Sequence, residues 1–419
     1  MFGSSHTKKP FLMPTHSALF ARQPIFDAKL KLHAYELLFR PTEDIFNNLV
    51  DGDSATSQVI LNALTATDFG SVLDSKLGYI NFTRNWLKQA PPLPVDQVVV
   101  EILEDIEVDE ALIQDVQQLS KQGFTIALDD FVLTEKTKPL LNIAHIVKMD
   151  VLNTNEKCLI QTVKKLKEYP LKLLAEKVED HAMYQKCKDL GFEYFQGFFL
   201  SKPENIQGKV LQSSQLTILN ILVSLQNPDI NINDVEALVA QDPALSYKVL
   251  RIINSPLFRV QQEVTSIHKA INLLGLEQIK RWASIISLTK LTNKPDIIFL
   301  EALFRAKMCE EIAIKGKLAE PQMYFTVGLF SMLDAFFDKE IQDILKLLPL
   351  AEPVKAAIEF KKGLPGNILH MILMHQQGKW EKIPWEKMER KLGIDERAFE
   401  SCQLAAINWS QEIFNLTKK

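Results

Sequence analysis

The chain has 419 residues, 47% apolar and 24% charged; at roughly 150 residues per domain this means two or three packed domains, not a disordered chain. Forty-eight Lys and Arg residues stand against 52 Asp and Glu, a net charge of −4, which excludes a dedicated DNA-coating protein, and nucleic acid is not an expected partner. No apolar run reaches the ~18 residues needed to span a bilayer, so membrane is not an expected partner either. Taken in chain order, residues 1–16 (MFGSSHTKKPFLMPTH) carry two prolines and no sustained apolar stretch. They read as a disordered lead-in, not a secretory signal. No sensory or receiver segment is read before residue 17, so input is expected through the second half, a partner or the ligand itself.

Residues 17–205 alternate short β-rich runs with helical stretches. The runs are SALFARQPIF, HAYELLFR, GYINF, QVVVEIL, GFTIALDD, HIVKMD, LKLLAEKV and EYFQGFFL. Between most of them lie segments long enough for a crossover helix, such as residues 109–122 and 154–168. Strand, crossover, strand repeated in this way predicts a mainly parallel sheet. Eight runs in under 200 residues fit a modified (β/α)8, TIM-like barrel better than a doubly wound sheet. No GxGxxG turn occurs at any strand–helix junction, which removes the usual dinucleotide-binding reading.

Each run carries a carboxylate, amide or lysine toward its end: Glu36, Asn81, Glu101, Asp129 with Asp130, Lys148 with Asp150, Glu176 and Gln196. Taken singly, each has an ordinary explanation. Asp129-Asp130 would cap a helix, Glu101 would pair with a cation, and Lys148 would be solvated or salt-bridged. Seven strand ends with the same habit point instead to a site, because the C-terminal ends of barrel strands converge on one mouth. Lys148 and Asp150, two apart on a strand, face the same way. Crowded carboxylates and an amide call for cations, and all-oxygen ligation suits Mg2+ or Mn2+. A two-metal clamp on a phosphodiester is the natural chemistry of such a set.

These residues also fall into ordered motifs. Glu36-Leu37-Leu38-Phe39-Arg40, Asn81 in YINFT, Glu101-Ile102-Leu103-Glu104, Leu128-Asp129-Asp130-Phe131, Val147-Lys148-Met149-Asp150, Ala175-Glu176-Lys177-Val178-Glu179 and Gln196-Gly197-Phe198 follow one another. In this order they resemble the EAL domain of bacterial cyclic-di-GMP signalling proteins. The resemblance implies hydrolysis of cyclic di-GMP to the linear dinucleotide. By it, Glu36, Asn81, Glu101 and Asp129 hold one metal, while Asp129, Asp130 and Glu176 serve a second metal or its water. Glu176 is then the base, and Lys148 orients the nucleophile or stabilises phosphoryl charge. Arg40 grips a phosphate oxygen, and Gln196 and Asp150 line the substrate pocket. Glu104 braces the loop after Asp130. That loop departs from the family: a Gly-Thr-Gly segment is replaced by Val132-Leu133-Thr134-Glu135-Lys136-Thr137, without glycine.

From residue 206 to 419 helical periods replace the strands. Asp242-Pro243 reads as an N-cap and first helical position, Asn254-Ser255-Pro256 as a helix end, and Gly275 as a C-terminal cap. Asp242-Pro243-Ala244-Leu245, Lys248 to Ser255, Ser266 to Ile271, Leu274-Gly275 and Trp282 resemble the HDOD domain, a helical relative of the HD phosphohydrolases. Where an HD pair belongs, Gly328 to Asp334 supplies serine and methionine. The half therefore reads as a non-catalytic module for an unidentified protein partner, with a second copy of the chain also admissible. His268, His370 and His375 read as surface or satisfied histidines, and Lys280-Arg281-Trp282 as a solvated edge with one anchored aromatic. Cys158, Cys187, Cys309 and Cys402 lie far apart without a CxxC pair, which fits a reducing cytoplasm. Two functions stay open: a phosphodiesterase, or a degenerate barrel acting as nucleotide receptor or adaptor.

Overall fold

All eight apolar runs of the first half are strands, and they close into one barrel in sequence order. They are β1 (Leu19–Asp27), β2 (Leu32–Arg40), β3 (Leu77–Phe82), β4 (Val98–Ile102), β5 (Thr125–Leu128), β6 (Ile146–Asp150), β7 (Lys172–Glu176) and β8 (Tyr194–Gln196). The structure is a computed structural model that describes residues 19–40, 72–89, 93–201, 213–291 and 294–418. The lead-in segment 1–16 lies outside the described residues. Every residue of β4, VVVEI, is buried, as expected of a strand covered on both faces.

The barrel is not wholly parallel. Strands β2 to β8 run parallel, but β1 is antiparallel to both of its neighbours. A tight hairpin replaces the first crossover. Asp27 Oδ1 accepts from the Lys29 and Lys31 amides at 2.8 and 2.9 Å, and Leu30 takes a left-handed φ of 60°. The expected crossovers appear as helices Glu110–Lys121 and Glu156–Leu166, capped by Asp109 and Asn155. Each lays an apolar stripe on the sheet, Leu112, Val116 and Leu119 in the first case.

Inward-facing side chains form two floors. The lower one is apolar: Ile25, Ala34, Tyr79, Val99, Ala127, Ile146, Leu174 and Tyr194, one from each strand, pack as a separate cluster. Because side chains two apart share a face, the next inward position on each chain stacks above it. That upper floor is Gln23, Glu36, Asn81, Glu101, Asp129, Lys148, Glu176 and Gln196. The dry plug below is what keeps the polar floor at the mouth.

From Ser213 onward the described residues are helical. Asp242 caps and Pro243 opens the helix Pro243–Ile253, while Gly275, at φ 87°, separates Ile267–Leu274 from Leu276–Leu288. The long helix Asp296–Lys315 is buried on nearly every side. Helices Gly363–Gln376 and Glu396–Lys418 pack on β1, and Gln403 Nε2 donates to Phe20 O at 2.8 Å. One apolar core runs through both halves. Among the described residues no helix is long and apolar enough to cross a membrane.

Gly197, directly after β8, has φ 146°, and a Cβ there would fall 2.1 Å from Val178 O and 2.5 Å from Val178 N. The Val178 amide donates to Gln196 O, so this crossing also fixes Gln196. Gly197→Ala is expected to destabilise the barrel by about 3 kcal/mol, through clash and backbone strain together. A guanidinium unfolding curve that coincides with wild type would contradict this.

Candidate active site

The polar floor is organised around Lys148. Its side chain is 0% exposed, and Nζ lies 2.6 Å from Glu101 Oε1, 2.7 Å from Asp129 Oδ1, 3.0 Å from Glu176 Oε1 and 3.4 Å from Glu36 Oε1. Of the two ordinary readings, solvated or salt-bridged, the second holds: its strand position places it on the inward face, above Ile146, among the carboxylates. Burial alone would lower its pKa, but the four carboxylates outweigh that and hold it well above the ordinary lysine value. The ammonium is thus a permanent charge.

One ammonium does not balance four carboxylates, three of them buried and that of Asp129 half-buried. Burial pushes the Glu101 carboxyl well above the usual range, with Lys148 opposing and Glu36 and Asp129 adding to the rise. Burial likewise raises Glu176 to about 8, again against Lys148 and with Asp129 and Glu36. Both Glu101 oxygens lack a hydrogen bond; the short contact of Oε1 to Lys148 is an ion pair without hydrogen-bond angles. Asn81 Oδ1, Asp130 Oδ1 and Gln196 Oε1 are buried and unpartnered as well. Unsatisfied buried polar atoms of this number are unusual in a resting core.

The remaining predicted residues are placed as follows. Glu36 sits inside β2, not at its end, because β2 continues beside β1 to Arg40. Gln196 Nε2 donates to Glu36 Oε2 at 2.5 Å and to Gln23 Oε1 at 3.1 Å. Asp150 faces the rim, where Oδ1 accepts from the Leu152 and Asn153 amides and Oδ2 from Asn153 Nδ2. Arg40 closes β2, and its side chain lies outside the described residues. Glu104 is exposed and makes no hydrogen bond or ion pair with the described residues, so nothing among them is braced by it.

The glycine-free loop builds itself by other means. Thr134 N donates to Thr137 Oγ1 at 2.9 Å, Thr137 N to Thr134 Oγ1 at 3.2 Å, and Thr137 Oγ1 to Val132 O at 2.8 Å. No residue from Val132 to Thr137 has positive φ; the left-handed step falls at Asp130, φ 39°. Threonine side chains close the turn without the conformations that would demand glycine.

Among the described residues no three His, Cys, Asp or Glu side chains converge as a metal cage, and the Lys148 ammonium takes the centre where they would meet. The donor chemistry nonetheless fits a hard dication. Every free donor is oxygen, several are orphaned, and charge balance lacks cations.

A model of the EAL domain matches residues 71–203, and one of the HDOD domain matches residues 211–339. Two relatives align along their whole lengths, both at 32% identity. The uncharacterized protein YuxH of Bacillus subtilis shares 94% of this chain and 98% of its own. The cyclic di-GMP phosphodiesterase CdgJ of Vibrio cholerae shares 98% and 96%. The chain belongs to the EAL–HDOD family. Among solved structures, a standalone EAL protein from Vibrio cholerae O395 is similar at 22% identity over 45% of this chain and 92% of that one, with a TM-score of 0.36.

In the HDOD half, Ser331 Oγ donates to Gly328 O, and burial pushes the Asp334 carboxyl up to about 6. His268 pairs with Glu236 at 3.0 Å and His370 is exposed. His375 is neither surface nor satisfied: it is buried with Nε2 unpartnered, and burial lowers its pKa to about 3. The reading of Lys280-Arg281-Trp282 also needs correction. Arg281 is no solvated edge; it forks onto Glu310 at 2.6 and 3.1 Å and stacks over Phe325 at 3.5 Å, while Trp282 is core. Adjacent residues on a helix point different ways, which sends Lys280 to Glu277 instead.

Gln23 and Lys177 belong to the EAL site and escaped the sequence reading. Gln23 precedes the end of its run because β1 runs backwards. Lys177 occupies a motif position that is glycine in the family, a departure legible in the sequence, and its backbone keeps a left-handed φ of 57°.

Proposed function

We propose that the chain is a metal-dependent phosphodiesterase that opens cyclic di-GMP to its linear dinucleotide on the polar floor of the EAL barrel, under control of the HDOD half. The observation that carries this reading is the buried floor of four carboxylates about one ammonium, with oxygen donors left unpaired. Full-length likeness to a relative named for that activity supports it.

Glu36, Asn81, Glu101 and Asp129 would hold one Mg2+ or Mn2+, with Asp130 and Glu176 at a second position. When bound, such ions supply Lewis acidity and an acidified water near neutral pH. Glu176 accepts the proton of the attacking water. Lys148, fixed among its carboxylates, offers permanent positive charge to the phosphoryl oxygens. Arg40 forks onto a phosphate, Gln196 and Asp150 border the nucleotide, and the apolar floor beneath excludes water. Glu104, exposed two residues past β4, would brace the loop Val132–Thr137. The four cysteines are free, in keeping with a cytoplasmic setting.

A second reading, a receptor that binds without hydrolysis, draws on Lys148 standing at the centre of the carboxylates. One assay separates the two. Purified protein with Mn2+ is expected to form linear dinucleotide; nucleotide binding without product would establish the receptor.

The HDOD half reaches the site through the side-chain amides of Gln196 and Gln23 and the backbone carbonyl of Gln376. Glu36 accepts from Gln196, Gln196 donates to Gln23, and Gln23 Nε2 donates to Gln376 O at 3.4 Å. Gln376 in turn accepts from Arg305 Nε at 3.0 Å and donates to Glu301 Oε2 at 2.5 Å. A protein partner, or a second copy, that shifts helix Gly363–Gln376 would reorient Glu36. Gln23→Ala, which removes the amide that joins Gln196 to the Gln376 backbone carbonyl, is expected to lower turnover about two- to thirtyfold, the usual range of such coupling. Unchanged turnover in a folded variant would contradict the relay.

A further inference from the structure

A narrow cavity of about 50 Å3 lies in the seam between the barrel and the helical half. Arg22, Gln23 and Gln196 line it from the barrel, and Glu301, Arg305 and Gln376 from the helices. One water needs about 10–15 Å3 of such space, so the cavity has room for more. It is far below the ~300–1,000 Å3 of a site for a nucleotide-sized ligand.

Two guanidiniums border this space, and both are buried: Arg22 is 8% exposed and Arg305 6%. Arg22 donates Nη1 to Val72 O at 2.8 Å and stacks over the Tyr35 ring, but its Nη2 is buried with no partner. Arg305 donates Nε to Gln376 Oε1 at 3.0 Å and makes no other hydrogen bond with the described residues. Glu301 is the one carboxylate in the lining. Its Oε2 accepts from Gln376, and it forms no ion pair with either arginine. Burial lowers the pKa of Arg305, with Glu301 and then Asp334 opposing. Two desolvated cations thus share one carboxylate that neither of them contacts. Buried charge without a counter-ion is costly, and a bound anion would offset that cost.

We propose that the cavity is a site for a small tetrahedral oxyanion, inorganic hydrogen phosphate, held between Arg22 Nη2 and the guanidinium of Arg305. Guanidinium forks match the oxygens of such an anion. Its own proton can be donated to Glu301, which turns that carboxylate into a partner. Gln23 and Gln196 border both this cavity and the polar floor, so an occupied site braces the barrel against helices Asp296–Lys315 and Gly363–Gln376. The site stands whether or not the barrel hydrolyses a nucleotide.

The test uses chelator-treated full chain at constant ionic strength. Inorganic phosphate, compared with chloride, is expected to raise the thermal unfolding midpoint in proportion to its occupancy, and calorimetry reads its affinity. Arg22→Met and Arg305→Met each remove a buried cation while filling its stem volume, and both are expected to fold. Each is expected to weaken phosphate binding at least about tenfold, the usual loss for one charged hydrogen-bond donor. Ribose 5-phosphate, a phosphate ester too large for the cavity, is expected to leave the wild-type midpoint unchanged. A midpoint no higher in phosphate than in chloride would overturn the proposal. So would an unaltered phosphate affinity in either folded variant, or a response to ribose 5-phosphate equal to that of phosphate, since each puts the anion elsewhere.

Discussion

Lys148→Met is expected to lower the stability of the metal-free barrel by about 3–5 kcal/mol, the usual penalty for removing one partner of a buried charge set. Lys148 is fully buried and is the ammonium within reach of Glu36, Glu101, Asp129 and Glu176. Methionine fills a similar volume, so packing changes little and the loss reports on charge. The four carboxylates then have two recourses, protonation or a bound cation. Mn2+ is accordingly expected to raise the unfolding midpoint of Lys148→Met more than that of wild type, because a ligand stabilises the state that binds it. Turnover should fall at least about a hundredfold, as when an electrostatic donor is removed from a reacting phosphoryl group. Chelator-treated unfolding curves that coincide for both proteins would show that Lys148 does not hold the floor together.

Glu101→Gln is expected to move stability the other way while also abolishing turnover. The Glu101 side chain is wholly buried, both oxygens lack hydrogen bonds, and burial pushes its carboxyl well above the usual range. An amide of the same shape removes one of four crowded negative charges and leaves Lys148 to the other three. The metal-free protein should therefore be at least as stable as wild type. Loss of supporting partners alone weakens metal sites about 10–100-fold, so loss of a direct ligand should exceed about a hundredfold in turnover. Mn2+ should no longer raise the unfolding midpoint. A destabilised Glu101→Gln, or one that keeps its turnover, would contradict the site as built here. The opposite signs of the two variants follow from one cause, an excess of buried negative charge, and such strain is commonly stored at functional sites.

The barrel was legible because its strands are short apolar runs, each bringing a polar residue two positions from an inward apolar one. Strand direction was not legible: the alternation of β1 looks the same read either way, and so Gln23, inward and opposite Glu36, was missed. For the same reason Glu36 was read as a strand end although it stands in the middle of β2. Residue type identified the polar floor but not its depth. Lys148 was read as a site residue, but that it lies fully buried among four carboxylates shows only once Ile146 below it is seen to point into the barrel. The loop after Asp130 seemed broken for lack of glycine, yet Thr134 and Thr137 close it and Asp130 carries the left-handed step. Lys177 stands where the family motif has glycine, and its φ of 57° shows that the backbone keeps the left-handed turn that glycine would suit. In the HDOD half the helix caps were readable, whereas the Arg281–Glu310 fork and the buried His375 depend on helices far apart in sequence.

Hydrolysis of cyclic di-GMP by the purified full chain, followed by chromatography as Mn2+ is restored after chelation, bears most directly on the polar floor as a catalytic centre. Linear dinucleotide should be absent in chelator, appear with Mn2+, and remain absent for Glu101→Gln at every Mn2+ concentration. Product formed equally in chelator, or by Glu101→Gln as fast as by wild type, would contradict it.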